Sequence, residues 1–262
     1  MMYQSKNMNN KKLYNYFRKK LNKLEKKYFR TKTICYHFTN EDAYNKIKGN
    51  GIFKINRKEN VKDEKDVEYS YKVLRECIDL CEKVEDKDGE FGNWLYEHSS
   101  YDLYCFSTTY DKNNRYLMSE YGSYCIKVNT QKMFAELRKN HNLNNIKMGY
   151  AEYNPVKQKE KLTELLNLYY DICEFENDSG LAEECKDYIL FFLDLIKLPC
   201  YFPEKEIRIV FNFNDVSLQE KYEEKHINKY ADFLGECEMN IAAKKKDLCH
   251  FDPQFCRFFP LP

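Results

Sequence analysis

The chain has 262 residues, 43% of them apolar and 16% aromatic, enough to fill the core of one large domain. Its formal charge is +1, but residues 1–33 hold 11 Lys/Arg against a single Glu, leaving 32 basic and 41 acidic residues in 34–262. Eleven cysteines in an odd count without framework spacing exclude a disulfide scaffold, and no window reaches the roughly 18 uninterrupted apolar residues that span a bilayer. A soluble protein of the reducing cytoplasm is expected.

Within the basic front, residues 1–32, Leu13, Tyr16, Phe17, Leu21, Leu24 and Tyr28 recur at helical spacing and fall within an arc of about 140°. The spacing predicts an amphipathic helix with a lysine-rich outer face. It either docks on the acidic body or attracts nucleic acid or another anionic surface. "TICYHFT" (33–39) reads as a strand, and "NEDAYNKIKGNGIF" (40–53) as a short helix. Asn40 caps that helix, Glu41 and Asp42 sit at the positive end of its dipole, and Gly49 and Gly51 end it.

Residues 56–70 read as a charged loop, 71–84 as a helix and 85–93 as a turn-rich break. Strands are predicted at 103–108, 123–128 and 147–153, with a helix at 130–140 capped by Thr130. Two helices follow at 158–175 and 181–197. "EKEIRIVFNF" (204–213) is the clearest strand, since β-branched residues and Phe alternate with polar ones. A further helix is predicted at 217–232, and the last segment has no usable period. Together these make one α+β domain over 33–262, with a helical insertion at about 158–197.

Three stretches carry chemistry. In "YHFT", His37 closes a strand that turns directly into a helix start, so imidazole, the Thr39 hydroxyl and free amides meet where a polar ligand could sit. In "CFSTT", Cys105 and Ser107 share one strand face; downstream, Arg115 suits a phosphate as a bidentate donor, and Tyr116 and Tyr121 offer aromatic surface. In "FPEKEIRIV", Glu204 and Glu206 lie two apart at a strand start and so share a face. Paired carboxylates can stabilise a developing sugar cation while engaging an acceptor.

In this order the three stretches resemble the ADP-ribosyltransferase superfamily. "YHFTNEDAYNKIKGNGIF" is similar to the opening of the DNA ADP-ribosylating toxins and poly(ADP-ribose) polymerases. "FSTT" and "EKE" look like the Ser-Thr-Ser and Glu-x-Glu elements of the arginine-directed toxins. The set "YHFT", "CFS", "EYG" and "EKEIR" resembles an uncharacterised bacterial domain family. The likeness covers roughly 33–53, 103–128 and 204–213. It implies an ADP-ribosyltransferase-like domain with a central sheet that uses NAD as co-substrate, of a bacterial toxin, effector or defence kind, with a nucleic-acid or protein acceptor.

Residue roles follow from the same resemblance. His37 would bind a ribose hydroxyl, Thr39 or the adjacent backbone the nicotinamide amide, and Ser107 would support the carboxylate. Tyr116 or Tyr121 would stack on nicotinamide. Glu206 would hold the nicotinamide ribose and stabilise its oxocarbenium-like state, and Glu204 would engage the acceptor.

Two other classes stay open on the residues alone: a noncatalytic nucleotide-sensing or nucleic-acid-binding module, and a metal-dependent phosphodiester-cleaving toxin. Cys249, His250, Asp252 and Cys256 match no zinc spacing, and no metal site is assigned. Gly-rich phosphate loops, H-E-x-x-H and G-x-S-x-G are absent from the sequence.

Overall fold

A computed structural model of the chain describes residues 10–29, 34–50, 52–57, 64–81, 91–93, 95, 103–131, 146–175, 180–212 and 236–240. The elements are α1 (Asn10–Tyr28), β1 (Ile34–Thr39), α2 (Glu41–Asn50), β2 (Ile52–Arg57), α3 (Glu64–Leu80), β3 (Leu103–Thr109) and α4 (Arg115–Tyr121). Then come β4 (Tyr124–Asn129), β5 (Ile146–Tyr150), α5 (Pro155–Phe175), α6 (Gly180–Leu195), a 3-10 turn (Pro199–Glu204), β6 (Glu206–Asn212) and β7 (Glu236–Asn240). The expected helix over 130–140 lies outside the described residues beyond 131, as do the turn-rich 85–90, the helix at 217–232 and the Cys249, His250, Asp252, Cys256 group.

The seven strands form one antiparallel sheet, so the fold is α+β. Strand β3 is its axis. One edge pairs with β6 from Leu103↔Asn212 to Thr109↔Glu206, and β6 in turn pairs with β5. The other edge is shared: β1 meets it at Tyr36↔Thr109, while β2 meets it at Asn56↔Cys105 and Arg57↔Tyr104. The sheet therefore forks at Phe106–Thr108, with β1 and β4 on one branch and β2 and β7 on the other.

Helices α1, α3, α5 and α6 pack with one another, and α6 also contacts β5 and β6. The C-terminal half of α6 is enclosed all round, Tyr188 through Leu195 being buried without interruption, because the other helices and the sheet surround it. Gly149 of β5 permits that close approach: a Cβ there would stand 2.3 Å from Leu195 Cδ1 and 3.2 Å from the Tyr28 carbonyl oxygen. Helix α1 docks by the expected stripe. Phe17, Leu21, Leu24 and Tyr28 are buried in the helical core, whereas Tyr16, at the edge of the arc, is 46% exposed. Ion pairs flank the stripe, linking Arg18 to Glu184, Lys20 to Asp171 at 3.8 Å, Lys27 to Glu164 at 2.6 Å and Glu25 to Lys147 at 2.6 Å.

Asn40 caps α2 as expected, its Oδ1 accepting from the Ala43 N–H at 2.9 Å. Helix α3 differs from expectation: it begins at Glu64, inside the stretch read as a loop. Its first turns are charged, but Asp66 and Ser70 are buried, so tertiary partners and not an apolar period hold them in place. The eight cysteines from Cys35 to Cys200 are free thiols, and among the described residues no helix is long and apolar enough to cross a membrane.

The Tyr-Gly pair has a steric reason. Gly122 ends α4 at φ 114°, and a Cβ there would lie 2.7 Å from the backbone oxygen of Thr39. Both the torsion and the close approach to the end of β1 require glycine. Gly122→Ala is expected to destabilise the protein by about 2–4 kcal/mol, measured by urea unfolding.

Candidate active site

The chain reaches β6 through two connected turns. The 3-10 turn ends at Glu204, and Lys205 then takes the left-handed conformation (φ 49°, ψ 47°), unusual for a side chain without a local amide or carboxyl. Neighbours hold it there. The Lys205 carbonyl accepts from Thr109 Oγ1 at 3.0 Å and from the Tyr110 N–H at 3.4 Å, and its ammonium pairs with Asp111 at 2.7 Å. Asn114 braces the turn from the other side: its amide donates to the carbonyls of Pro203 (2.8 Å) and Glu204 (2.9 Å), while its Oδ1 caps α4 at the Leu117 N–H.

Glu204 therefore does not lie on a regular strand beside Glu206, as the two-residue spacing predicts; it closes the 3-10 turn. Both carboxylates nonetheless converge on one cation. Lys197 pairs with Glu204, lies 3.0 Å from Glu206 Oε2, and reaches Asp66 at 3.4 Å. Arg208 supplies the second cation, with Nε 3.0 Å from Glu206 Oε1, one terminal nitrogen 3.2 Å from Asp66, and the other 2.5 Å from the Asp194 carbonyl oxygen and 3.7 Å from its carboxylate. All six residues are buried. Loop and helix backbones hold Lys197 in register, since the buried Gln158 amide donates to the carbonyls of Glu152 (2.6 Å) and Lys197 (2.7 Å).

Four carboxylates share two cations, and this imbalance splits the Glu pair. Burial raises the Glu204 carboxyl and the charge on Glu206 adds to it, against the pull of Lys197, leaving it at about 7. Burial acts on Glu206 in the same direction, but Arg208, Lys197 and a hydrogen bond from Ser107 overcome it and hold the group at about 2. Glu206 is thus an obligate anion and Glu204 a proton-exchanging group near neutrality. Burial also opposes the charge on Lys197, yet Glu206, Asp66 and Glu204 keep it above its ordinary value.

Ser107 is the link to the fork. Its exposed side chain shares the sheet face of Glu206 and helps to keep that carboxyl ionised, and its carbonyl, on the unpaired stretch of β3, accepts from His37 Nδ1 at 3.0 Å. That bond fixes the tautomer and leaves Nε2 as an acceptor. Burial lowers the imidazole below its ordinary value, so His37 is neutral. The register places His37 with Phe106, against which it stacks at 5.0 Å, on the opposite sheet face from the Ser107 hydroxyl and Glu206. Imidazole and carboxylate therefore approach the fork from two sides.

The remaining predicted residues divide. Thr39 is buried at the end of β1 beside Gly122. Tyr116 packs with Leu117 and Met118 against Phe38 and Cys125, whereas Arg115 and Tyr121 are exposed, Tyr121 at 53%. Where β3 and β5 end and β6 begins, a groove of about 620 Å³ is lined by Tyr110, Tyr150, Tyr153, Phe202 and Glu206 among others, and the Tyr153 hydroxyl accepts from the Glu206 N–H at 3.0 Å.

Sequence reasoning missed Asp66, Asn114, Asp194, Lys197 and Arg208 as site residues, Arg208 entering only as part of the "EKEIR" likeness. Asp194 and Lys197 had a readable signal, two charges interrupting the most apolar stretch of the chain. Asp66 had none, being one charge among many in 56–70.

Two outcomes are expected. Lys197→Met leaves Asp66, Glu204 and Glu206 short of a cation in a buried site and lowers stability by about 3–5 kcal/mol in urea unfolding. The second concerns pH. Because the folded state raises Glu204 from 4.5 to about 7, its stabilising contribution is complete below pH 4.5 and is lost as pH rises through about 7. Glu206 contributes in the opposite sense, losing its share only as pH falls from 4.5 towards about 2. The parent chain is therefore expected to lose Tm between pH 5 and pH 8, and Glu204→Gln, which keeps the protonated form's shape, to remove that decline.

No protein-family model, curated protein or solved structure matches this chain.

Proposed function

We propose that the chain is an ADP-ribosyltransferase-like enzyme that takes NAD as co-substrate and passes ADP-ribose to a protein or nucleic-acid acceptor. The observation that carries this reading is Ser107, which joins His37 through its carbonyl and Glu206 through its side chain at the fork of the sheet. A neutral imidazole with Nε2 as acceptor suits a ribose hydroxyl. A carboxylate held ionised suits a sugar that becomes cationic as its bond to nicotinamide breaks. The residues fit the dinucleotide in charge as well, since Arg115 is an exposed cation for its diphosphate.

In the balanced reaction the ribose–nicotinamide bond breaks, the nicotinamide nitrogen keeps the electron pair, and the acceptor atom bonds the ribose carbon and gives up a proton. Glu206 opposes the positive charge of that transition state, and its fixed ion pairs spare it reorganisation at the moment of reaction. Glu204, at about 7, is matched to receive the acceptor's proton. Ser107 lies at the surface above the buried Glu206, so the ligand reaches the carboxylate past it. Of the two tyrosines, Tyr121 is the exposed one and the better placed to stack on a ring; Tyr116 is committed to the small core under α4.

The test pairs calorimetric NAD titration with nicotinamide release in cell extract, for the parent chain and Glu206→Gln. Both proteins are expected to bind NAD, with release reduced about a hundred- to a thousand-fold in the variant. A parent chain that folds but neither binds NAD nor releases nicotinamide overturns the reading. A variant that cannot fold makes Glu206 structural, and in that case His37→Ala serves as the second variant, with loss of NAD binding expected.

A further inference from the structure

The outer face of α1 carries an order that docking does not use. Lys12, Asn15, Lys19, Asn22 and Lys26 follow one another at i, i+3, i+7, i+10 and i+14, which places them in a single row opposite the buried stripe. All five are exposed. The cations that fasten α1 to the body are different ones, Arg18, Lys20 and Lys27, each paired with a carboxylate of α5 or α6. Lys12, Lys19 and Lys26 meet no carboxylate among the described residues, and Glu25, the only acid of the helix, turns away to Lys147.

We propose that this row is a binding surface for the phosphodiester backbone of a nucleic-acid duplex. At 1.5 Å per residue, successive lysines of the row stand about 10.5 Å apart and the three span about 21 Å. A duplex carries about one phosphate per 1.7 Å of its axis, both strands counted, so a row of this length lies against a surface dense in phosphate. The intervening asparagines supply amide donors for phosphate oxygens. An anionic membrane is the poorer partner, because a helix lying on lipid inserts its apolar face, and here Phe17, Leu21, Leu24 and Tyr28 are already buried in the protein. The excess of acid over base in 34–262 gives the body no net attraction for a polyanion, in contrast to this face. The surface stands independently of NAD chemistry.

The experiment follows fluorescence anisotropy of labelled duplexes of about 20 base pairs, one DNA and one RNA, between about 50 and 200 mM salt, using the full chain. Phosphatidylserine vesicles are titrated in parallel. The triple variant Lys12→Gln, Lys19→Gln, Lys26→Gln preserves helix propensity, and Lys46→Gln, Lys65→Gln, Lys72→Gln removes three exposed lysines elsewhere. Binding of at least one duplex is expected, with the salt slope of log affinity shallower by about 2 to 3 in the α1 variant and unchanged in the control. Absence of duplex binding by the parent chain at about 50 mM salt overturns the proposal. So does an equal loss of slope in both variants, or vesicle binding that the α1 variant loses while no duplex binds.

Discussion

The placement of Lys197 between Glu204 and Glu206 is the interaction on which the rest of the structure depends. Burying an ammonium is costly, and so is burying either carboxylate. Together, and with Arg208 and Asp66 to complete the ring, they offset one another's charge. The residues come from α3, α6, the loop after it and β6, so the ring ties the helical layer to the sheet at the point where α6 crosses β6. It also sets the chemistry. With four carboxylates to two cations, one acid must be weak, and geometry assigns that role to Glu204, because Arg208 and Ser107 both attend Glu206.

The fork of the sheet is the second constraint. Had β1 continued along β3 in full register, the Ser107 carbonyl would have been taken by a strand amide. Because β1 leaves at Thr109 and β2 arrives only at Cys105, the carbonyl is met by an imidazole instead. Gly122 and Asn114 belong to the same arrangement. The glycine lets the chain pass against the end of β1, and the asparagine fastens the start of α4 to the turn that presents Glu204. The short stretch from Thr108 to Gly122 thus carries its many specific side chains because it braces both the fork and the carboxylate turn.

Periodic features were legible in the amino-acid order. The stripe of α1, the strand and capped helix either side of Asn40, the two long helices and the strand character of β6 each depend on local spacing, and each is present. Charges that act over distance were not legible. Asp66 reads as loop because nothing local says that Arg208 waits 142 residues away. Asp194 and Lys197 read as interruptions of an apolar run, although a charge enclosed by apolar neighbours is itself a sign of a buried partner. Glu204 and Glu206 were found, but the left-handed Lys205 between them has no signal in a strand-like pattern. His37 and Ser107 were found as well, while the sheet faces they occupy required the register.

The separation of the ring's members has a kinetic meaning. Asp66 and Arg208 cannot meet until a long loop has closed, whereas Lys197, Glu204, Glu206 and Arg208 are near neighbours along the chain. The helical layer and the sheet must therefore be largely assembled before Asp66 joins the ring. Interactions of that kind change the rate of unfolding more than the rate of folding. Asp66 is thus the latch of this charged centre, the one member that engages only when the helical layer has met the sheet.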